Sequence, residues 1–279
     1  MTDTYKHWTI AELPWAMLDP GKVGPDLLQV IKAAALVEYG ADAYADYLCK
    51  VFSDDPDFQQ LARNWAVEEV QHGKALGAWA EKIDPEWSLE KAMAKFRAGY
   101  VPDHFLNNSS TSVRGSRSAE MVARCMVEIG TSSYYSAIGD STDEPVLKEI
   151  CKQVAADEFR HYKLFYDTLN RYLAKEKLGK IGRLKVALGR IAESEDDELS
   201  YAFYAANDDG LTPYDRQACN RAYVRRAYSF YQQKHLDRAI AMIFKACGFM
   251  PPSIPYRIIR QVAWVMLNRQ TKKLQRMAA

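Results

Sequence analysis

Two short stretches of the chain place a glutamate and a histidine three residues apart. Glu69 and His72 lie in VEEVQHGKAL, and Glu158 and His161 lie in ADEFRHYKLF. Residues three apart share one face of a helix, so each pair can offer a carboxylate oxygen and an imidazole nitrogen to the same point. Such mixed oxygen and nitrogen ligands are suited to iron or manganese.

Two single glutamates extend this pattern into a repeat. Glu38 and Glu128 are 90 residues apart, while the two Glu-x-x-His pairs are 89 residues apart. Pro56 and Pro145 each precede the glutamate of a pair by 13 residues. The regularity indicates a two-fold repeat of a helix pair.

The repeat predicts a metal site with four carboxylates and two imidazoles. Four carboxylates cancel the charge of two divalent ions, and hard oxygen ligands accept either iron or manganese. Ferritin-like bundles bind two such ions with one Glu from each of two helices and Glu-x-x-His from the other two. Apolar neighbours argue against surface positions, because burying charged groups without partners is costly. The predicted ligands are Glu38, Glu69, His72, Glu128, Glu158 and His161.

Helical periodicity dominates the chain and predicts an all-α fold. Asp55 and the prolines at 56 and 145 are signals for helix starts. The turn-rich segment 99–116 is predicted to be a long crossover connection within a ferritin-like four-helix bundle. The four predicted helices of the bundle cover residues 25–52, 56–83, 117–138 and 145–173, and a shorter helix is predicted over 86–98.

Charge divides the chain into two predicted regions. Residues 1–170 contain 17 Lys and Arg against 26 Asp and Glu, whereas residues 171–279 contain 20 against 10. We therefore expect a bundle over 1–175 and an appended basic helical region over 176–279 that packs on it. Its predicted helices are 180–192, 213–247 and 255–277, separated by the acidic segment 193–198 and the turn-like segment 207–213.

Composition and cysteine use indicate a cytoplasmic protein. The sequence has no run of 18 apolar residues, as a membrane-spanning helix would require. The start, MTDTYKHWTIAEL, lacks the basic-then-apolar layout of a secretory signal. The five scattered cysteines show no Cys-x-x-Cys spacing and are typical of reduced thiols.

The stretch from about residue 38 to residue 167 resembles the soluble acyl-carrier-protein desaturases and their ferritin-like di-iron relatives. WAVEEVQHG is similar to that family's W-x-x-E-E-x-x-H-G segment, and AADEFRH is similar to its A-A-D-E-x-R-H segment. EIGT adds a threonine three residues after Glu128. The C-terminal third has no counterpart in this resemblance.

The resemblance implies roles for individual residues. The six predicted ligands would bind two irons, with Glu69 and Glu158 as bridges. Asp157 would accept a hydrogen bond from a ligand imidazole and fix its tautomer, and Arg160 would orient that aspartate. Thr131 would manage protons and oxygen beside the metals, although a helical threonine also commonly bonds to its own backbone.

The expected activity is an O2-dependent oxidation of a long hydrophobic chain, with a fatty acyl group as the leading substrate. Removal of two hydrogens would make the protein a desaturase, and insertion of oxygen would make it a hydroxylase. No flavin or nicotinamide motif is visible, so the electrons would come from an external donor such as ferredoxin. Alternatives are hydroxylation of a quinone, an isoprenoid or a modified RNA base, and iron handling.

The basic region 176–279 leaves several partners open. Its charge would suit an acidic carrier protein or the surface of an anionic membrane. The segment 253–277 mixes apolar and basic residues, which is typical both of a helix in a membrane interface and of a helix packed on the bundle. Nucleic acid is a weaker candidate, and a homodimer is an assembly that the sequence allows.

Overall fold

The chain forms helices and turns, without strands, over the residues that the structure describes. This structure is a computed structural model, and it describes residues 7–101, 110–193, 197–208, 210 and 212–278. Its helical content confirms the predicted all-α class. In these same ranges, no helix combines the length and the apolar character needed to cross a bilayer.

The main helices follow short 3-10 turns between residues 10 and 22. In chain order they are α1 Pro25–Tyr39, α2 Ala41–Val51, α3 Pro56–Ile83, α4 Leu89–Gly99, α5 Arg117–Ser141, α6 Pro145–Leu173, α7 Lys180–Glu193, α8 Asp197–Asn207, α9 Arg216–Ser229, α10 Gln233–Ala246 and α11 Ile254–Ala278.

The two helices with the Glu-x-x-His pairs begin in the same way. The Asp55 carboxylate accepts a hydrogen bond from the Phe58 N–H at 3.1 Å and caps α3. The Glu144 carboxylate caps α6 and accepts the Leu147 N–H at 2.7 Å. A proline follows each cap, where its missing N–H costs nothing. The predicted starts of both helices are confirmed.

The prediction of one helix over 25–52 is wrong, because the helix is interrupted at Gly40. Gly40 has φ −86° and ψ 4°, and its N–H bonds to the Val37 carbonyl at 3.2 Å. Glycine is costly inside a helix and tolerates such a break. The break separates α1, which ends just after Glu38, from α2.

The prediction of one helix over 213–247 is also wrong. The Nδ1 atom of His235 accepts a hydrogen bond from the Gln232 N–H at 3.1 Å, so this side chain helps to start α10 after the end of α9. Helix α8 begins within the acidic segment and ends at the first residue of the turn-like segment, a stretch for which the sequence predicts no helix. The fifth helix continues past residue 138 to Ser141.

Parts of the predicted connections lie outside the described residues. They are 102–109 in the crossover segment, 194–196 in the acidic segment, and 209 and 211 in the turn-like segment.

Two apolar cores lie on either side of a polar layer. One core is a cluster of buried apolar residues that includes Leu36, Leu76 and Ile138. The other is a separate cluster that includes Ala66 and Phe165. Along α3, α5 and α6, the residues of one core give way to those of the other at the positions of the predicted ligands. The ionisable side chains are therefore enclosed above and below by apolar packing.

The helices that follow residue 175 pack against those before it. Helix α8 contacts α1, and both α7 and α10 contact α5. Helix α11 contacts α9 and α10. The domain division near residue 175 stays a prediction.

Candidate metal centre

The structure brings all six predicted ligands together in the polar layer. We call these six side chains the centre. All are buried, and none is more than 5% exposed. The centre consists of Glu38 from α1, Glu69 and His72 from α3, Glu128 from α5, and Glu158 and His161 from α6.

The Nδ1 atom of His72 points into the centre towards three carboxylates. It lies 3.7 Å from Glu38 Oε2, 3.7 Å from Glu69 Oε2 and 3.2 Å from Glu158 Oε1. The Nε2 atom faces the other way, 3.0 Å from Asp157 Oδ2. Because an ionised carboxylate can only accept, His72 donates its Nε2–H to Asp157.

His161 has the same orientation in the second half of the repeat. Its Nδ1 lies 2.8 Å from Glu69 Oε1, 3.7 Å from Glu128 Oε2 and 3.9 Å from Glu158 Oε2. Its Nε2 lies 2.9 Å from Glu68 Oε2 and donates to it. Both histidines thus direct Nδ1 inwards and donate Nε2–H outwards to a carboxylate, and metal-bound histidines commonly donate their other ring N–H in this way.

Several polar atoms of the centre lie close to one another, yet no hydrogen bond of good geometry satisfies them among the described residues. Ligand atoms about 2 Å from one ion lie about 3 to 4 Å from each other, which matches most of the spacings in the centre. Buried polar atoms without partners cost free energy, and a bound cation would satisfy them. These atoms are Glu69 Oε1, His72 Nδ1, Glu128 Oε1, Glu158 Oε1 and His161 Nδ1.

The atoms form two overlapping groups that could hold a metal ion. One group is Glu38, Glu69, His72 and Glu158, with ligand atoms within 4.8 Å of one another. The second group is Glu69, Glu128, Glu158 and His161. Glu69 and Glu158 belong to both groups.

Burial makes the centre a strong proton binder when no cation is present. Desolvation, followed by the neighbouring carboxylates Glu69 and Glu158, raises the pKa of Glu38 and of Glu128 well above the usual range. Burial alone would lower the pKa of His72 and His161, but the surrounding carboxylates, including the outer partners Asp157 and Glu68, raise both. A metal would therefore displace protons from these groups.

Asp157 is fully buried and holds the outer nitrogen of His72. Its carboxylate also accepts the Trp8 indole N–H at 2.7 Å and the Arg160 Nη2–H at 2.5 Å. Burial alone would raise the pKa of Asp157, but the hydrogen bonds from His72, Arg160 and Trp8 lower it well below its usual range. The hydrogen bond and the contact with Arg160 that the resemblance implied are present; a catalytic role for Asp157 stays a prediction.

Glu68 is a residue that sequence reasoning missed. It holds the outer nitrogen of His161 as Asp157 holds that of His72. The signal was available, because Glu68 and Asp157 are 89 residues apart and each directly precedes a predicted ligand. The pairing itself crosses between helices, since the acid on α3 serves the histidine on α6 and the acid on α6 serves the histidine on α3.

His7 and Trp8 close the outer side of the centre, and the sequence analysis assigned neither of them. The Nε2 atom of His7 lies 2.9 Å from Asp157 Oδ2 and 3.5 Å from Glu68 Oε2. The Trp8 ring stacks on His72, with centroids 6.1 Å apart and an angle of 3° between the planes. No periodic signal links a residue before α1 to this position.

The hydroxyl of Thr131 lies against the centre. Its Oγ1 is 2.6 Å from Glu158 Oε2, compared with 3.2 Å to the Val127 carbonyl and 3.3 Å to the Glu128 carbonyl. The shortest contact is with the predicted bridging carboxylate, to which the hydroxyl donates. The distances therefore agree both with a role of Thr131 beside the predicted ligands and with an ordinary hydrogen bond to its own helix backbone.

Glu38 and Glu128, which each belong to one ligand group, have different second partners. The Tyr135 hydroxyl donates to Glu38 Oε1 at 2.5 Å. Arg124 approaches Glu128 Oε1 at 3.9 Å and lies over the rings of Tyr44 and Trp65. Burial and the Glu38 charge raise the pKa of Tyr135, which keeps its phenol protonated.

A cavity of about 630 Å³ lies between α5, α6 and α10, next to the centre. Its lining includes Tyr135, which bonds to Glu38, and the apolar side chain of Phe159. Charged lining residues are Lys148, Lys152, Lys234, Arg238 and Asp140, an excess of three positive charges. The cavity thus combines apolar lining with an excess of positive charge, although Lys234 pairs with Asp140 at 2.6 Å.

Comparison with known proteins leaves the family unassigned. No protein-family model matches the chain, and no curated protein sequence matches it.

Proposed function

We propose that the chain is a di-iron oxidoreductase that uses O2 to oxidise a long hydrophobic substrate. The observation that carries this proposal is the overlap of two buried ligand groups at Glu69 and Glu158. Carboxylates that belong to both groups can bridge two ions. Glu38 and His72 would hold one ion, and Glu128 and His161 would hold the other.

The donor set supports two divalent ions of the iron or manganese type. Four carboxylates balance four positive charges, and two imidazoles complete a mixed oxygen and nitrogen set. The helices α1, α3, α5 and α6 supply these ligands as one Glu, Glu-x-x-His, one Glu and Glu-x-x-His. That order supports a ferritin-like four-helix bundle with a crossover between its two helix pairs.

When bound, the metal pair would supply electrons to reduce O2, and this chemistry would oxidise a C–H bond of the substrate. The chain's own residues hold the protons. Thr131 donates to Glu158, and Tyr135 donates to Glu38, so both carboxylates are held in fixed orientations. The two apolar cores exclude water from the reaction. Reducing equivalents come from a separate donor protein of the ferredoxin type.

The cavity supports an amphipathic substrate with an anionic end. Cavities of this size are typical of small-molecule sites. Phe159 offers an apolar contact, while Lys148, Lys152 and Arg238 offer charge to a carboxylate or a phosphate. We infer a fatty acyl group, free or attached to an acidic carrier, as the substrate.

The first test compares cells that express the wild type with cells that express Glu128→Ala. Metal analysis should find iron in the purified wild type, and lipid mass spectrometry should find a product that is absent with the variant. Loss of two hydrogens would indicate desaturation, and oxygen from labelled O2 would indicate hydroxylation.

A control variant, Glu120→Gln, changes another buried carboxylate of α5. Glu120 accepts from the hydroxyls of Tyr47 and Ser112 and lies outside the centre, so this variant should retain the product. Iron-loaded wild type that changes no lipid in the presence of a reductant would contradict the acyl substrate. A wild type that binds neither iron nor manganese would contradict the whole proposal.

A further inference from the structure

The last helix, α11, has one face attached to the protein. Tyr256 donates its hydroxyl to the Asp237 carbonyl at 3.2 Å, and Arg260 pairs with the Asp237 carboxylate at 3.0 Å. Leu274 packs against the apolar core that also contains α1. Tyr256, Arg260 and Leu274 are four and fourteen residues apart, so they lie on one side of the helix. This side faces the protein, where α11 contacts α9 and α10.

The opposite face begins as an exposed apolar stripe. Its six apolar residues lie between Ile254 and Met266. Successive members are four, one, three, three and one residues apart, which keeps them on one side of the helix. All are at least 45% exposed, and Met250 just before the helix is 81% exposed. The stripe consists of Ile254, Ile258, Ile259, Val262, Val265 and Met266. Packing on the bundle, which the sequence allowed, does not cover these side chains.

The same face continues as an exposed basic stripe. Arg269, Lys272, Lys273 and Arg276 follow Met266 at spacings of three, three, one and three, and all four are exposed. The sequence of α11 contains no Asp or Glu. The outer face of this helix is therefore apolar in its first half and cationic in its second half.

We propose that this face of α11 binds the surface of an anionic lipid membrane. The apolar stripe would enter the boundary between headgroups and acyl chains, while the basic stripe would contact lipid phosphates. A bilayer offers both chemistries side by side, which matches the arrangement along the helix. The helix lies on the membrane and does not cross it. This inference is independent of the proposed oxidation.

The charge pattern disfavours two other occupants of the same face. A second copy in parallel contact would place cations against cations, and an antiparallel copy would place cations against apolar side chains. Nucleic acid would neutralise the basic half but would leave the apolar half in water. The surface of an anionic bilayer, with its anionic headgroups above an apolar interior, satisfies both halves.

The test is sedimentation of the full chain with two kinds of vesicle, pure phosphatidylcholine and an equimolar mixture of phosphatidylcholine and phosphatidylglycerol. We expect binding to the mixed vesicles that weakens at high salt. Replacing Arg269, Lys272, Lys273 and Arg276 by Gln should reduce the partition coefficient by at least about tenfold. A second variant, Ile258→Ser with Val262→Ser and Met266→Ser, should also reduce it by about tenfold.

The matched control removes four exposed cations elsewhere, at Lys50, Arg63, Lys91 and Lys177. It has the same net charge as the basic variant and should bind like the wild type. Equal losses in the two charge variants, or equal binding of the wild type to both vesicles, would overturn the proposal. So would light scattering that shows a wild-type dimer and a monomer after the triple serine substitution.

Discussion

The two halves of the centre have the same ligands but different surroundings. On the His72 side, the outer acid Asp157 is fully buried beneath Trp8. On the His161 side, the outer acid Glu68 is 26% exposed at its side chain. Hydrogen bonds in a less polar environment are stronger and more fixed, so the His72 half is held more rigidly.

The difference shows how a repeated pair of helices becomes asymmetric. Asp157 and Glu68 make the same bond to an imidazole, yet Trp8 donates only to Asp157, and His7 lies closer to Asp157 than to Glu68. Arg160 contacts both acids, at 2.5 Å from Asp157 Oδ1 and 3.1 Å from Glu68 Oε2. We expect the two metal positions to differ in affinity, with the tighter one at His72.

The largest effect should come from the carboxylates that both halves share. Glu69→Gln or Glu158→Gln removes a charge from both ligand groups, so the bound metal should fall from about two ions per chain to less than one. Glu38→Gln or Glu128→Gln changes only one ligand group and should leave about one ion bound per chain. Metal analysis of the purified proteins measures this. Equal losses for all four variants would contradict the shared role.

The next effect tests the asymmetry of the outer acids. Asp157→Asn should lower metal affinity about 10- to 100-fold, the range expected for a partner of a ligand imidazole. Glu68→Gln should have a smaller effect, because its carboxylate is partly exposed to water. Titration with Fe(II) under anaerobic conditions measures both affinities. A larger loss for Glu68→Gln would reverse the assignment of the rigid half.

A smaller effect should follow from the close approach of α3 to α1 beside His72. A Cβ atom on Gly73 would lie 2.5 Å from the Tyr39 backbone N. Gly73→Ala should therefore destabilise the fold by about 1 to 3 kcal/mol. Its counterpart in the repeat is Tyr162, which donates to the Met242 carbonyl at 3.2 Å.

The matched variant on the other half is Tyr162→Phe. It removes one hydrogen bond and should cost about 1 kcal/mol. Urea unfolding of both variants, each without metal, compares the two sides. A Gly73→Ala protein as stable as the wild type would show that α1 and α3 can separate freely.

The smallest effect is a pH dependence that is confined to the metal-free protein. The raised pKa values of Glu38, Glu128, His72 and His161 mean that the folded chain holds protons that the unfolded chain has released. Stability therefore falls as pH rises above the unfolded values of about 4.5 for Glu and 6.5 for His.

We expect the melting temperature of the metal-free protein to fall by on the order of 5 °C between pH 5 and pH 8. Glu69 and Glu158 have lowered pKa values and are already ionised throughout this window. With metal bound, cations replace the protons and the fall should be much smaller. Calorimetry with and without a chelator measures the difference. An apo protein that becomes more stable towards pH 8 would contradict the proton-binding description.

The sequence by itself determined the contents of the centre. Spacing of three along a helix fixes Glu69 beside His72 and Glu158 beside His161, because local periodicity leaves little freedom. The 89-residue repeat also contained the signal for Glu68. Asp55 and Glu144 cap α3 and α6 through backbone N–H groups two or three residues later in the chain. Because these contacts are local, the helix starts could also be predicted from the sequence.

Only the tertiary structure decided which groups meet across helices. Three contacts depend on how the helices pack and not on any period in the chain. They are the pairing of Glu68 with His161, the stacking of Trp8 on His72 and the hydrogen bond from Tyr135 to Glu38. The exposure of the apolar stripe on α11 has the same origin. Amphipathic spacing specifies a face, but the neighbouring elements determine whether that face is covered.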